Sequence, residues 1–295
     1  MGMARAYRDK ERLMLATTRE SPRARAFRAS TLASHTQAVE RVIGAMRANV
    51  AEPLSLEEMA EIAYLSPFHF NRVFRSLTGI PPGEFLAALR LDTAKRLLLT
   101  TSLSVTDVCF DLGYASLGTF ATRFRQQIGV SPLRLRQLAD ELADTSLQSH
   151  LRAHAEARRL AIVHTRSVHG VITAPDTFTG LIFVGLFPKP IPQSQPVACT
   201  TITAPGHFQI DGAPDGRYYL LAAALPWSRN ALTYLAPDAG LLVGVAEQPT
   251  YVRAGQASAP LALTLRPLDL TDPPLLGVFP PLLAWQTVAR AGRLV

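Results

Sequence analysis

The sequence predicts a multidomain chain, all-α in its first half and all-β in its second. A 17-residue phrase occurs twice, as SPFHFNRVFRSLTGIPP from Ser66 to Pro82 and SLGTFATRFRQQIGVSP from Ser116 to Pro132. Composition shifts near residue 160: helix formers with apolar residues at every third or fourth position precede it. Gly, Pro, Thr and β-branched residues in short alternating runs follow. The chain has 295 residues, 48% of them apolar, enough for two buried cores.

Taken in order, residues 1–34 read as a basic N-terminal arm or one frayed helix, with eight basic and three acidic side chains in the first thirty positions. Residues 35–140 form the helical domain. Val39, Val42, Ile43 and Met46 give a first helix its apolar face. Ser55 and Glu58 stand at capping-box spacing ahead of a second, whose inward face is Met59, Ile62 and Ala63. Ser66 is placed to cap a third, with Pro67 at its first position and Gly79 as its stop. Two helices joined by so short a turn form a helix-turn-helix. Residues 83–99 read as one connecting helix with Phe85, Leu89, Leu97 and Leu98 on its apolar side. SVTDVCFDLGYAS then repeats the short helix and turn through Gly113, and Ser116 opens the last member. Residues 141–166 read as a connecting helix or linker, 167–270 as a β-sandwich, and 271–295 as an apolar, proline-containing tail.

Six positions of the doubled phrase are identical: Ser66/Ser116, Phe70/Phe120, Phe74/Phe124, Arg75/Arg125, Gly79/Gly129 and Pro82/Pro132. They encode a cap, an apolar stripe, a base and a stop. In the first copy Phe70, Val73, Phe74 and Leu77 must face a core, which turns Phe68, Asn71, Arg72 and Arg75 outward. Arginine matches guanine and asparagine matches adenine in the major groove, so Arg72 and Asn71 suit base readout, with Phe68 beside them. Arg75 and the Ser66 hydroxyl suit phosphate. The second copy presents Leu117, Gly118, Thr119 and Thr122, suited to thymine methyls and close backbone approach. Ser116, Arg123 and Arg125 are its phosphate candidates. Only three of the 30 basic residues are lysines, so the +7 net charge is carried mostly by guanidinium, whose fork fits phosphate and guanine.

The stretch from LSLEEMAEIAYLSPFHF to GVSPLRLR resembles the DNA-binding domain of the AraC/XylS family of bacterial transcription regulators. The likeness rests on both helix-turn-helix units, the R-L-x-x-A-x-x-L-L pattern at Arg90 to Leu98 and the G-Y…F…F-R…G-V-S-P ending. It implies two recognition helices entering successive major-groove segments of double-stranded DNA. This chain departs from the family at Thr122, where arginine is usual; Arg123 comes one step later. In the second half, IDGAPDGRYYL resembles the transthyretin-like or carboxypeptidase-regulatory-like sandwich, which implies an immunoglobulin/prealbumin-like fold. The order is also unlike the family's, which usually places a cupin-like sensor ahead of the DNA domain.

The reading is a sequence-specific regulator, not an enzyme, located in the cytoplasm. The sandwich serves effector sensing, self-association or protein contact. An architectural or adaptor protein without an effector is the alternative. Besides DNA, the candidate partners are RNA polymerase, a small-molecule effector and a second copy of the chain; no membrane partner is expected. No cofactor or metal is expected either: His150 and His154 lie four residues apart but lack the glutamate of a zinc-protease motif. Cys109 and Cys199 read as free, buried thiols. Tyr218, Leu220 and Ala222 alternate with Tyr219, Leu221 and Ala223, so this strand is apolar on both faces and needs cover on both. One side is assigned to the opposing sheet, and the other to the tail containing Phe279, Leu282 and Trp285, or to a second subunit.

Overall fold

The structure, a computed structural model, describes residues 22–143 and 167–278, except 176, 194, 231, 238 and 239. The first stretch is helical: α1 (Pro22–Ala48), α2 (Leu56–Ala63), α3 (Pro67–Thr78), α4 (Pro82–Thr100), α5 (Val105–Asp111), α6 (Leu117–Ile128) and α7 (Pro132–Ala143). Residues 22–34, read from the sequence as part of an arm, continue into the first amphipathic helix as one element. Residues 141–143, read as linker, complete α7. His150, His154, Phe279, Leu282 and Trp285 lie outside the described residues.

Local signals explain the helix ends. Ser55 caps α2 in a reciprocal box with Glu58, and Ser104 caps α5 in the same way with Asp107. The bonds each carboxylate accepts from its serine hold its pKa below the ordinary value. Gly79 and Gly129 adopt φ of 79° and 94° and stop α3 and α6, their amides donating to the Arg75 and Arg125 carbonyls at 3.0 Å. Ser66 has N-cap geometry, but its hydroxyl makes no capping bond, whereas that of Ser116 accepts from Thr119 N at 3.2 Å.

Phe70, Phe74 and Phe85 stack edge to face at 5.5 and 5.4 Å in the first unit, and Tyr114, Phe120 and Phe124 follow one another at 5.1 and 5.6 Å in the second. Arginine side chains tie loops to rods. Arg90 of α4 donates to the Val50 and Glu52 carbonyls at 2.8 Å each, and Arg136 of α7 donates to Leu98 O at 3.0 Å and to Leu103 O.

The second stretch is β-rich. One sheet has the order β4 (Gly206–Asp211), β1 (Ser167–Thr173), β9 (Leu261–Thr264), with β1 antiparallel to β4 and parallel to β9. The other runs β10 (Arg266–Pro267), β6 (Leu242–Val245), β5 (Gly216–Pro226), β2 (Gly180–Phe187), β3 (Ala198–Ile202). Off its path, β7 (Thr250–Arg253) pairs with β5, and β8 (Gln256–Ala257) with β7. A short helix, α8 (Leu232–Leu235), lies between β5 and β6. The sheets share a core: Val168, Ile172, Phe208, Ile210 and Leu263 from one, and Ile182, Val184, Leu186, Leu220, Ala222 and Ala224 from the other. Cys109 is buried and Cys199 only half-buried, and neither is in a disulfide.

The opposite face of β2 and β5 is also covered. Leu181, Phe183, Phe187, Leu221, Ala223 and Leu225 join the same buried cluster as the helical domain, as do Leu276 and Val278 from the start of the segment read as the tail. Phe279, Leu282 and Trp285, assigned as the cover, lie outside the described residues. The sequence does not foresee the helical domain as part of this cover. One reading is corrected at α4, taken as one-sided: it buries Phe85, Leu86, Leu89, Leu91, Ala94, Lys95 and Leu98, which point in all directions, because it lies inside the molecule. Polar contacts cross the junction. Lys95, 1% exposed, donates through Nζ to the Leu275 and Leu276 carbonyls and has Asp92 at 3.5 Å. Arg96 reaches Pro237 O at 3.2 Å, Lys189 pairs with Glu84 at 2.6 Å, and Val278 N donates to Ile128 O at 3.1 Å.

Gly113 is required twice over. Its φ is +74°, and an added Cβ would lie 2.4 Å from the Ala51 carbonyl oxygen in the loop before α2. Gly113→Ala is expected to destabilise the protein by about 1–3 kcal/mol, read as a lowered midpoint in chemical denaturation. An unchanged midpoint would refute this close approach.

Candidate nucleic-acid interface

In α3 the first turn and the periodicity decide what faces out. Phe70, Val73, Phe74 and Thr78 are buried, which leaves Phe68, Asn71, Arg72 and Arg75 exposed along one side. Phe68 is 82% exposed, an unusual position for phenylalanine unless a partner covers it. In α6 the buried stripe is narrower: Phe120, Phe124 and Ile128. Leu117, Gly118, Thr119, Thr122, Arg123 and Arg125 are all exposed, as are Ser66 and Ser116 at the two N-caps. The structure thus brings the residues singled out in the first copy onto one side of α3, while those of the second are all accessible but spread over most of the circumference of α6.

The two copies differ at one informative position. Val73 is 5% exposed, whereas its counterpart Arg123 stands in solvent. Arg123 therefore widens the outward face of α6 beyond that of α3. Its charge, after that of Arg90, acts on the half-buried Tyr114 phenol, whose pKa burial raises while both guanidinium groups pull it down.

Arg72, Arg75, Arg123 and Arg125 make no hydrogen bond or ion pair with another described residue. Arg90, Arg96, Arg134 and Arg136, by contrast, are all engaged inside the fold. Among the described residues, these two sets of arginines differ in kind: one is structural and the other has its donors facing outward. Gly118 belongs to the outward set: a Cβ there would meet nothing within 4 Å, so the fold itself does not demand glycine. Ser116 is less free than its first-copy counterpart, since its hydroxyl also donates to Thr119 Oγ1 at 2.9 Å.

Sequence reasoning missed Tyr64. It caps α2 in left-handed geometry at φ 57°, is 85% exposed, and has the Arg41 guanidinium 5.4 Å from its ring centroid. No periodic pattern marks such a residue; its only signal is its place in the turn before Ser66. Among the described residues, no group of three or more His, Cys, Asp or Glu side chains could hold a metal. No described helix is long and apolar enough to cross a membrane.

A family model described as a helix-turn-helix domain matches residues 59–138. The HTH-type transcriptional activator AarP of Providencia stuartii is 34% identical over 110 residues, covering 36% of this chain and 81% of the relative. The chain belongs to the AraC/XylS family of transcriptional regulators. The bifunctional transcriptional activator/DNA repair enzyme AdaA of Bacillus subtilis is 34% identical over 91 residues, 31% of this chain and 43% of the relative. The regulatory protein PocR of Salmonella typhimurium is 28% identical over 107 residues, 36% of this chain and 35% of the relative. The chain therefore spans less than half of each of these two AraC/XylS relatives. Among solved structures, an AraC-type regulator from Chromobacterium violaceum is similar at 28% identity and a TM-score of 0.34, covering 36% of this chain and 94% of that one. The DNA-binding domain of AdpA, solved in complex with a target DNA, is similar at 30% identity and a TM-score of 0.32, covering 42% and 97%.

Two substitutions separate the roles assigned to the outward arginines. Arg72→Ala is expected to lose discrimination at one base pair, at a cost of about 1–3 kcal/mol. Arg125→Ala is expected to weaken all sequences alike and to reduce the salt slope by about one. Binding isotherms on specific and scrambled duplexes at several salt concentrations measure both, and equal losses for Arg72→Ala on the two duplexes would contradict its placement.

Gly118→Ala should leave the free protein's stability within about 0.5 kcal/mol while weakening DNA binding roughly tenfold. Thermal denaturation and the same isotherms check the pair. Undiminished binding would show that no backbone approaches there.

Proposed function

We propose that the protein is a sequence-specific DNA-binding transcriptional regulator whose two helix-turn-helix units read successive major-groove segments of double-stranded DNA. The observation that carries this reading is the pairing of two exposed, base-compatible helix faces on one rod. At 19 residues, α4 is about 28 Å long, comparable with the roughly 34 Å of one DNA turn. In this reading Phe68, Asn71 and Arg72 supply most direct base readout, with Leu117, Gly118, Thr119 and Thr122 adding apolar contact and close approach. Ser66, Arg75, Ser116, Arg123 and Arg125 hold phosphates. The protein acts in the cytoplasm, without catalysis of its own, and passes its signal to RNA polymerase.

The β-rich part is proposed to be an immunoglobulin/prealbumin-like sandwich that senses an effector. Two sheets around one core support the architecture. Its junction with the helical domain favours sensing over a passive adaptor, since an independent adaptor module would need no shared core.

Selection of bound duplexes from a random pool, followed by footprinting, tests the reading. The expected result is one motif with two unequal half-sites about one helical turn apart, the first more strictly read. A pool that returns no motif, with equal affinity for all duplexes, would refute sequence-specific reading.

A further inference from the structure

Tyr64 stands where the backbone favours glycine. It closes α2 in the left-handed region, at φ 57° and ψ 40°, where a bulky side chain is strained. The second unit supplies a comparison within the same chain. Its turn after α5 makes the same two bonds: Gly113 N to Phe110 O and Tyr114 N to Cys109 O match Tyr64 N to Glu61 O and Leu65 N to Ala60 O, all at 3.0 to 3.1 Å. At the position equivalent to Tyr64 that turn has glycine, at φ 74°. Burial does not select the tyrosine either, since the residue is 85% exposed.

What the ring does hold is a charge. The Arg41 guanidinium of α1 lies over it, 5.4 Å from the centroid. Arg41 is exposed; among the described residues it has one long hydrogen bond, 3.5 Å to Ala63 O, and no ion pair, with Glu40 and Glu61 included. Stacking on an aromatic face fixes the direction of a guanidinium and leaves its N–H donors for another partner. Tyr64 and Arg41 thus present an oriented, unneutralised cation beside a phenol hydroxyl.

The place of the pair in the fold identifies what it meets. The C-terminal ends of both recognition helices are closed off by the β-rich part. A Cβ at Gly79, the stop of α3, would lie 3.6 Å from Pro190 Cγ, and one at Gly129, the stop of α6, would lie 3.2 Å from Gln195 Nε2, so the β2–β3 loop rests against both turns. A strap at residues 273–278 also reaches the end of α6, where Val278 N donates to Ile128 O. The N-terminal ends stay open, and it is there that helix-turn-helix proteins make their base contacts. Tyr64 lies at the open end of α3, two residues ahead of the Ser66 N-cap and so within about 7 Å of it. It belongs to the end of α2, the first helix of the unit, and that helix crosses the DNA backbone while the second enters the groove. Four residues on, the exposed Phe68 already belongs to the reading face, so the pair continues a surface turned toward DNA.

We propose that Tyr64 and Arg41 form a phosphate clamp outside the recognition helices, holding the DNA backbone at the rim of the first half-site. The clamp rests on the DNA-reading role proposed above and enlarges it by bringing α1 onto the duplex. The Tyr64 hydroxyl donates to a phosphate oxygen, and the Arg41 guanidinium, stacked on the ring, supplies the charge. The contact carries no sequence information; it fixes the register of the first unit, and the second unit, with Gly113 in the same turn, has no counterpart.

The test uses the full chain, the duplex selected from the random pool and a scrambled duplex, each at several salt concentrations. Tyr64→Gly gives the first unit the turn residue of the second. It is expected to lower affinity about tenfold on both duplexes without lowering the thermal midpoint. Arg41→Ala is expected to lose a similar factor on both and to reduce the salt slope by about one. Combining the two should cost less than the product of the single losses, as for groups that act together. Ethylation of individual phosphates should identify one, beside the bases read by α3, whose modification weakens the wild type but neither variant. Unchanged affinity in either variant overturns the clamp. A loss confined to the selected duplex makes the pair a reader of bases and overturns it too, as does a midpoint that falls together with the affinity, which makes the pair a tie between α1 and α2. A wild-type chain that binds both duplexes alike fails the sequence-specific reading, whereas the clamp still shows as the loss in both variants.

Discussion

The two-faced burial of β2 and β5 is the constraint on which the rest of the architecture depends. All eight residues of β2 are buried, and Leu220 to Leu225 are buried in an unbroken run on β5. A strand of this kind cannot belong to a two-layer domain with one wet face. It needs a third layer, and here the helical domain is that layer. From this follow the all-round burial of α4, the placement of a lysine ammonium inside the junction, and the closeness of the β2–β3 loop to both recognition helices.

The doubled phrase shows how one local design serves two settings. A serine at the N-cap position, phenylalanines four apart and a left-handed glycine stop reproduce the same unit twice. What differs lies on the surface. Replacing an inward valine by Arg123 narrows the buried stripe of α6 and gives the second unit a broader, more polar outward side, while Phe120, Phe124 and Ile128 still anchor it.

Much of this was legible because it is local. Capping spacing at Ser55 and Glu58, the stops at Gly79 and Gly129, and the outward set from Phe68 to Arg75 depend on residues within one or two turns of each other. Both faces of β5 were also readable as apolar from alternation alone. What covered the second face was not, because α4 lies more than a hundred residues upstream and nothing in its own spacing distinguishes a buried rod from an amphipathic one. Lys95 is the sharpest instance: a lone lysine in a helix reads as solvated, and it is carbonyls from a distant strap, together with Asp92 beside it, that accept its ammonium in the interior. Arg90 and Arg136 look like surface charge in sequence and prove to be loop ties.

The bond from Lys95 to Leu275 spans 180 residues of chain. Translation proceeds from the N-terminus at about 5–20 residues per second, so α4 leaves the ribosome roughly 10 to 40 seconds before the strap that completes its surroundings. For that interval the apolar side of the rod awaits a layer not yet synthesised. The length of that exposure during synthesis is set by the distance in sequence between a helix and the sheet that closes over it.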